Sequence, residues 1–186
     1  MKKILLSLLA FGALLAAASA EKINLGGGKA AVLTLPSAWK SADLGPDTPA
    51  VGRSVRYVTR NDSNDEVLIT LLPAQDEHMG DVENLRAMAE IATAQFVSGS
   101  VEGKADCKET RFGGAPGLTV TFTDADLVGK PSTKGDYKAV TCCFFYLGGN
   151  IMVTATIFTD DAKGPAHAEA LHLVKSLSLT QAKDKI

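Results

Sequence analysis

Apolar residues recur along this chain with three different spacings, and each spacing predicts a different kind of element. From Ile4 to Ala17 they form one uncharged run behind Met1-Lys2-Lys3. Lys22–Leu25 and Ala30–Leu35 then read as two short extended pieces separated by Gly26-Gly27-Gly28. Pro36-Ser37-Ala38-Trp39 is a turn that plants an indole near the core, and residues 41–52, with Gly45-Pro46-Asp47, are a loop. Ser54–Thr59 and Glu66–Leu72 are rich in Val, Tyr, Ile and Leu and predict two strands. Asn61-Asp62-Ser63-Asn64-Asp65 joins them as a polar turn.

The period then changes. Leu85, Met88, Ala89, Ala92 and Phe96 fall on one stripe of a helix near 82–98, with Asp81 as the N-cap oxygen and Gly99 as the stop. Strand-like segments follow at Ala105–Arg111 and around Leu118, Val120 and Phe122, which alternate with threonines. A polar loop, 125–136, leads to Tyr137–Leu147 and Ile151–Phe158, joined by Gly148-Gly149 as a two-residue primed turn. That turn sets Phe144 opposite Val153, Cys142 opposite Ala155 and Val140 opposite Ile157, and both faces of the hairpin read as covered. Asp160 or Asp161 caps a second helix near 161–176 with Pro165 in its first turns, and Ser176-Leu177-Ser178-Leu179 runs into a charged tail, 182–186, expected to fray. The fold class is α+β, one unit over 21–181, with a mainly antiparallel sheet flanked by helices.

The first twenty residues set the compartment. A basic start, a short apolar stretch and the small-residue site Ala18-Ser19-Ala20 are the parts of a cleavable secretory signal. The apolar stretch is shorter than the roughly 20 residues of a spanning helix. Position 21 is Glu, not the Cys of a lipid anchor. The expectation is a mature chain from Glu21, periplasmic or secreted from a bacterium and not membrane-spanning.

Cleavage removes two of the 19 basic side chains and none of the 21 acidic ones, so the net charge moves from −2 to −4. That sign, with Lys and Arg scattered, argues against nucleic acid. An odd number of cysteines, Cys107, Cys142 and Cys143, leaves a thiol unpaired within a monomer. If three successive strands carry them as a meander, Cys107 lies two strands, about 10 Å, from the vicinal pair. A disulfide needs Cα atoms within roughly 7 Å, so three free, largely buried thiols are expected.

No motif reaches a named chemistry. Gly26-Gly27-Gly28-Lys29 lacks the spacing and the Ser or Thr of a phosphate loop. Counted from Asn61 or Asp62, the Asn61–Glu66 run lacks the Gly and Glu of a calcium loop. His167 and His172 are five apart, about 140° around a helix, so they read as independent surface or rim residues. His78 has no visible partner. Cys142 and Cys143 sit mid-strand in an apolar run, where thiol reactivity falls. No catalytic, cofactor or metal residue is assigned, and no cofactor is expected.

The order of elements resembles a superfamily that contains the PsbP protein of photosystem II, bacterial DcrB-like envelope proteins and a yeast Ran-binding import factor. The matching residues are Leu33-Thr34-Leu35-Pro36-Ser37-Ala38-Trp39, the Gly113-Gly114-x-x-Gly117 turn and Lys175-Ser176-Leu177. The resemblance implies an α/β/α sandwich around an antiparallel sheet and no single function. The expected role is an envelope accessory or protein-binding domain without catalysis, with another envelope protein as partner and a monomer otherwise. The alternatives are a carrier of a small apolar ligand or lipid, lodged between sheet and helix, and a hydrolase with a dispersed site.

Overall fold

Two antiparallel sheets share one hydrophobic core in the computed structural model, which describes residues 18–44 and 52–181. The leader apart from its last residues, most of the 41–52 loop and the 182–186 tail lie outside the described residues.

Strands β1 (Ser19–Gly26) and β2 (Lys29–Leu35) form a hairpin around Gly27-Gly28. Strand β3 (Trp39–Ala42) starts the larger sheet, followed by β4 (Arg53–Thr59) and β5 (Glu66–Pro73). A 3-10 turn, Glu77–Gly80, leads into α1 (Val82–Val97). Strands β6 (Lys108–Phe112), β7 (Ala115–Thr123), β8 (Ala139–Gly148) and β9 (Ile151–Thr159) complete the sheet in the order β3-β4-β5-β9-β8-β7-β6. Helix α2 (Pro165–Lys175) then delivers β10 (Ser178–Gln181) to β2, giving the small sheet β1-β2-β10.

The layers follow from strand alternation. On one side of the large sheet Leu118, Val120, Phe122, Cys142 and Phe144 pack against Leu85 and Ala89 of α1. On the other, Val67, Ile69, Phe145, Val153 and Ile157 pack against Leu173 and Val174 of α2 and against Ala31 and Leu33 of the small sheet. The expected sandwich and antiparallel sheet are present, with a second sheet beside α2 in the outer layer. Trp39 and Tyr57 are fully buried on that side, as large residues placed near the core.

Several local expectations need correction. The β8–β9 register is one residue off: Phe144 faces Thr154, Phe145 faces Val153, Cys142 faces Thr156 and Cys143 faces Ala155. The turn is Gly149-Asn150, with φ of +59° and +62°, and an irregularity between Tyr146 and Gly148 shifts the pairing. A one-residue slip exchanges the faces of a whole strand. Thr154 and Thr156 therefore share the α1 side, which is not dry throughout. The second helix starts at Pro165 with Gly164 as its N-cap, because Asp161 closes the preceding turn by accepting from the Lys163 amide at 2.9 Å. Asp81 holds the N-cap position of α1, but its side chain makes no cap bond and meets His78 instead at 3.3 Å. The α1 stripe buries Leu85, Ala89 and Thr93 and leaves Ala92 exposed. Strand β6 begins at Lys108, so Cys107 precedes it, and residues 178–181, to which the sequence pattern assigns no element, form a strand paired with β2.

Candidate functional site

Helix α1 covers only part of its side of the large sheet. It packs on β7 and β8. The neighbouring strands present Arg56 and Val58 from β4, Glu66 and Leu68 from β5, and Thr156 and Phe158 from β9, all half-buried. Where this step in cover meets the segment before β8, side chains form a clamp. Arg56 donates from Nε to Oε1 and from Nη2 to Oε2 of Glu66, both at 2.7 Å, and the Tyr137 hydroxyl donates to Oε2 at 2.9 Å. The fork geometry matches guanidinium to carboxylate and fixes both. The bond to Glu66 raises the Arg56 pKa further. Burial, then Glu66, pushes the Tyr137 phenol up to about 12, so it stays a neutral donor at ordinary pH. A cleft of about 620 Å³ opens on the Arg56 side of this clamp.

The Tyr137 ring also walls a second cleft, of about 320 Å³, at the C-terminal end of α1. Phe96 and Phe122 stand with ring centroids 5.8 Å apart, and Tyr137 and Phe158 stand 4.9 Å apart. Asp124 and Asp136 lie at its margin. The segment that carries Tyr137 is tied down by the β4–β5 turn. Asn64 donates to the carbonyl of Asp136 at 2.6 Å and accepts from the Gly135 amide at 3.0 Å. Ser132 adds a bond to Asp160 at 2.6 Å. The Asn61–Glu66 oxygens are thus engaged in joining loops: Asp65 accepts from Thr159 at 2.6 Å and from Ser63 at 2.7 Å. Among the described residues no group of three or more His, Cys, Asp or Glu is arranged to hold a metal ion.

The groups weighed for catalysis lie apart from both clefts. His167 is neither a surface nor a rim residue. It is 8% exposed, and its Nε2 lies 2.9 Å from the Thr141 hydroxyl, itself 2.8 Å from that of Thr121. Burial lowers its pKa, with Asp161 and Asp65 opposing. His172 is exposed on α2, and exposed His78 meets Asp81. Burial pushes the Cys142 thiol up to about 11, and raises Cys143 and Cys107 as well, so all three are protonated at neutral pH. Strand β7 lies between β6 and β8, the meander expected, with Cys107 half-buried and Cys142 and Cys143 buried. Lys29 of the glycine turn donates to the Gly149 carbonyl at 3.2 Å, pinning one hairpin tip to another.

Sequence reading missed the clamp. Its signal was available in the β4–β5 hairpin: with Val58 opposite Glu66, Arg56 is the diagonal neighbour of Glu66 on the same face.

No family model and no curated protein sequence matches the chain. Solved structures do. The solution structure of PsbP (CyanoP) from the cyanobacterium Synechocystis sp. PCC 6803 is similar with a TM-score of 0.55 at 10% identity, over 91% of this chain and 96% of that one. The Ran-binding protein Mog1p of Saccharomyces cerevisiae is similar with a TM-score of 0.50 at 16% identity, over 87% and 95%. A point mutant of Mog1 gives 0.51 at 15% identity, over 89% and 97%. The chain has the fold that PsbP and Mog1p share, as its motifs implied.

Proposed function

We propose that residues 21–181 form an exported accessory domain of the bacterial envelope, which acts by binding another envelope protein and not by catalysis. The observation that carries this reading is the outer surface of α1. Ala87, Ile91 and Ala94 fall on one stripe facing away from the sheet, and Ile91 is 80% exposed. Val101, just beyond the helix, is 60% exposed. A rigid helix presenting an aliphatic knob between small residues suits a partner's groove. The protonated thiols and the His167 ring tied to Thr141 argue against nucleophilic chemistry. Export is favoured by the pattern of residues 1–20, and β1 is compatible with cleavage after Ala20. Only Ser19 and Ala20 of that edge strand would go, leaving Glu21 to accept from the Tyr57 hydroxyl at 3.2 Å. Among the described residues no helix is long and apolar enough to cross a membrane.

The aromatic cleft favours a second reading, a binder of a small, largely apolar ligand. Its volume falls at the lower end of the ligand-pocket range. Native mass spectrometry of protein taken from its own cells tests both. The first reading expects a chain beginning at Glu21 in complex with a second protein. A retained small mass in place of a partner supports the second reading. A bare monomer still carrying residues 1–20 contradicts the export and binding account.

A further inference from the structure

The cleft at the end of α1 selects for charge as well as for shape. Phe96, Phe122, Tyr137 and Phe158 line it, and an aromatic face is negative. Asp124 and Asp136 add two carboxylates at the margin, and no Lys, Arg or His is among its lining residues. Lys134 and Lys138, close by in sequence, line other clefts. Gln95 and Phe96 of the last turn of α1, with Gly99 and Ser100 just beyond the helix, form another wall; this is the negative end of the helix dipole, and that turn carries no basic side chain. Three independent features therefore favour positive charge at one place. An anion meets repulsion from each, and a neutral molecule gains only apolar burial.

We propose that this cleft binds a small organic cation, an ammonium group on a compact apolar body. The inference rests on the small-ligand reading above and names its ligand class. The site is built before any ligand arrives. The Tyr137 ring is held through its hydroxyl by Glu66, which Arg56 holds in turn, and Asn64 fixes the loop carrying Asp136. A wall fixed in advance loses little freedom on binding. Asp124 spends one oxygen on the Asp126 amide at 2.8 Å, and Asp136 accepts from the Thr133 hydroxyl, so each keeps a second oxygen for the rim. The volume of about 320 Å³ sets the size: a trimethylammonium with one aryl or short alkyl group fits, and a two-chain lipid does not.

The probes are benzyltrimethylammonium and its uncharged carbon isostere, neopentylbenzene, added to the mature chain while backbone amide resonances are followed. The cation is expected to bind saturably, with shifts centred on Gln95, Gly99, Tyr137 and Val140. The isostere is expected to bind roughly two- to thirtyfold more weakly, the range of a cation–aromatic contact. Asp136→Asn, at an exposed position where folding is not at stake, should weaken the cation and leave the isostere unchanged. Phe96→Leu, which keeps apolar volume and loses the ring, should weaken the cation more than the isostere. Equal binding of both probes at these amides overturns the cation inference and leaves the small-ligand reading standing. No shift at these amides with either probe overturns both.

Discussion

His167 shows what burial does to a single titratable side chain here. Its ring is pressed against β8 with Nε2 on the Thr141 hydroxyl, and burial holds its pKa below the ordinary 6.5. Unfolded, the ring takes a proton as pH falls through 6.5; folded, it resists until lower pH. In that window the unfolded chain binds more protons, so stability is fully present above pH 6.5 and drains away as pH falls. Melting temperatures measured across this range should fall more steeply for the wild type than for His167→Gln, which still offers Thr141 a polar partner. His167→Ala at neutral pH should cost about 1–3 kcal/mol, because the hydroxyl chain loses a buried partner. Parallel pH profiles for wild type and His167→Gln would contradict this account. The spacing of His167 and His172 did exclude a shared helix face. It could not reveal that one faces β8, since that depends on how α2 is rotated against the sheet.

The three segments that carry the family resemblance meet at one place. The Thr34 amide donates to the Ser176 hydroxyl at 2.8 Å, and the indole of Trp39 donates to Glu169 of α2 at 3.0 Å. The Gly113 amide donates to the Lys175 carbonyl at 2.9 Å, and a Cβ on Gly113 would lie 2.6 Å from the Leu177 carbonyl oxygen. These residues dock α2 and the small sheet onto the large one, so they report architecture and not activity. Gly117 belongs to the same joint. A Cβ there would lie 2.5 Å from the Phe112 ring, which stacks on Phe145 at 4.3 Å. Gly117→Ala should cost about 1–3 kcal/mol in urea denaturation, the usual range for overpacking a tight core. A neutral result would show that β6 moves freely.

Local patterns made most elements legible: the strand alternations, the α1 period and the β6-β7-β8 meander all stand. What was hidden is non-local or turns on one residue. Strand β10 is four residues long and gains its identity only by pairing with β2 from the far end of the chain. The β8–β9 register depends on an irregularity beside Leu147 that two adjacent glycines do not predict. Of the candidate sites, the cleft escaped because its walls come from α1, β7, β8 and β9 and from the segment before β8.

At the scale of the whole molecule, the two sides of the large sheet are built differently. The side under α2 is closed, with Trp39, Tyr57, Phe112 and Phe145 fully buried. The α1 side is stepped: a helix with an aliphatic outer stripe, an aromatic cleft at its end, and an ionic clamp beside that cleft. Changes on the outer stripe touch no core contact, so they separate binding from folding. Placing a photo-crosslinking side chain at position 91 of the chain, in its native cells, tests the binding account most directly. Lys108, exposed on edge strand β6 on the far side of the sheet, is the control position. The account predicts an adduct with one defined envelope protein from position 91 and none from position 108. No adduct from position 91, or the same set of adducts from both positions, would contradict it.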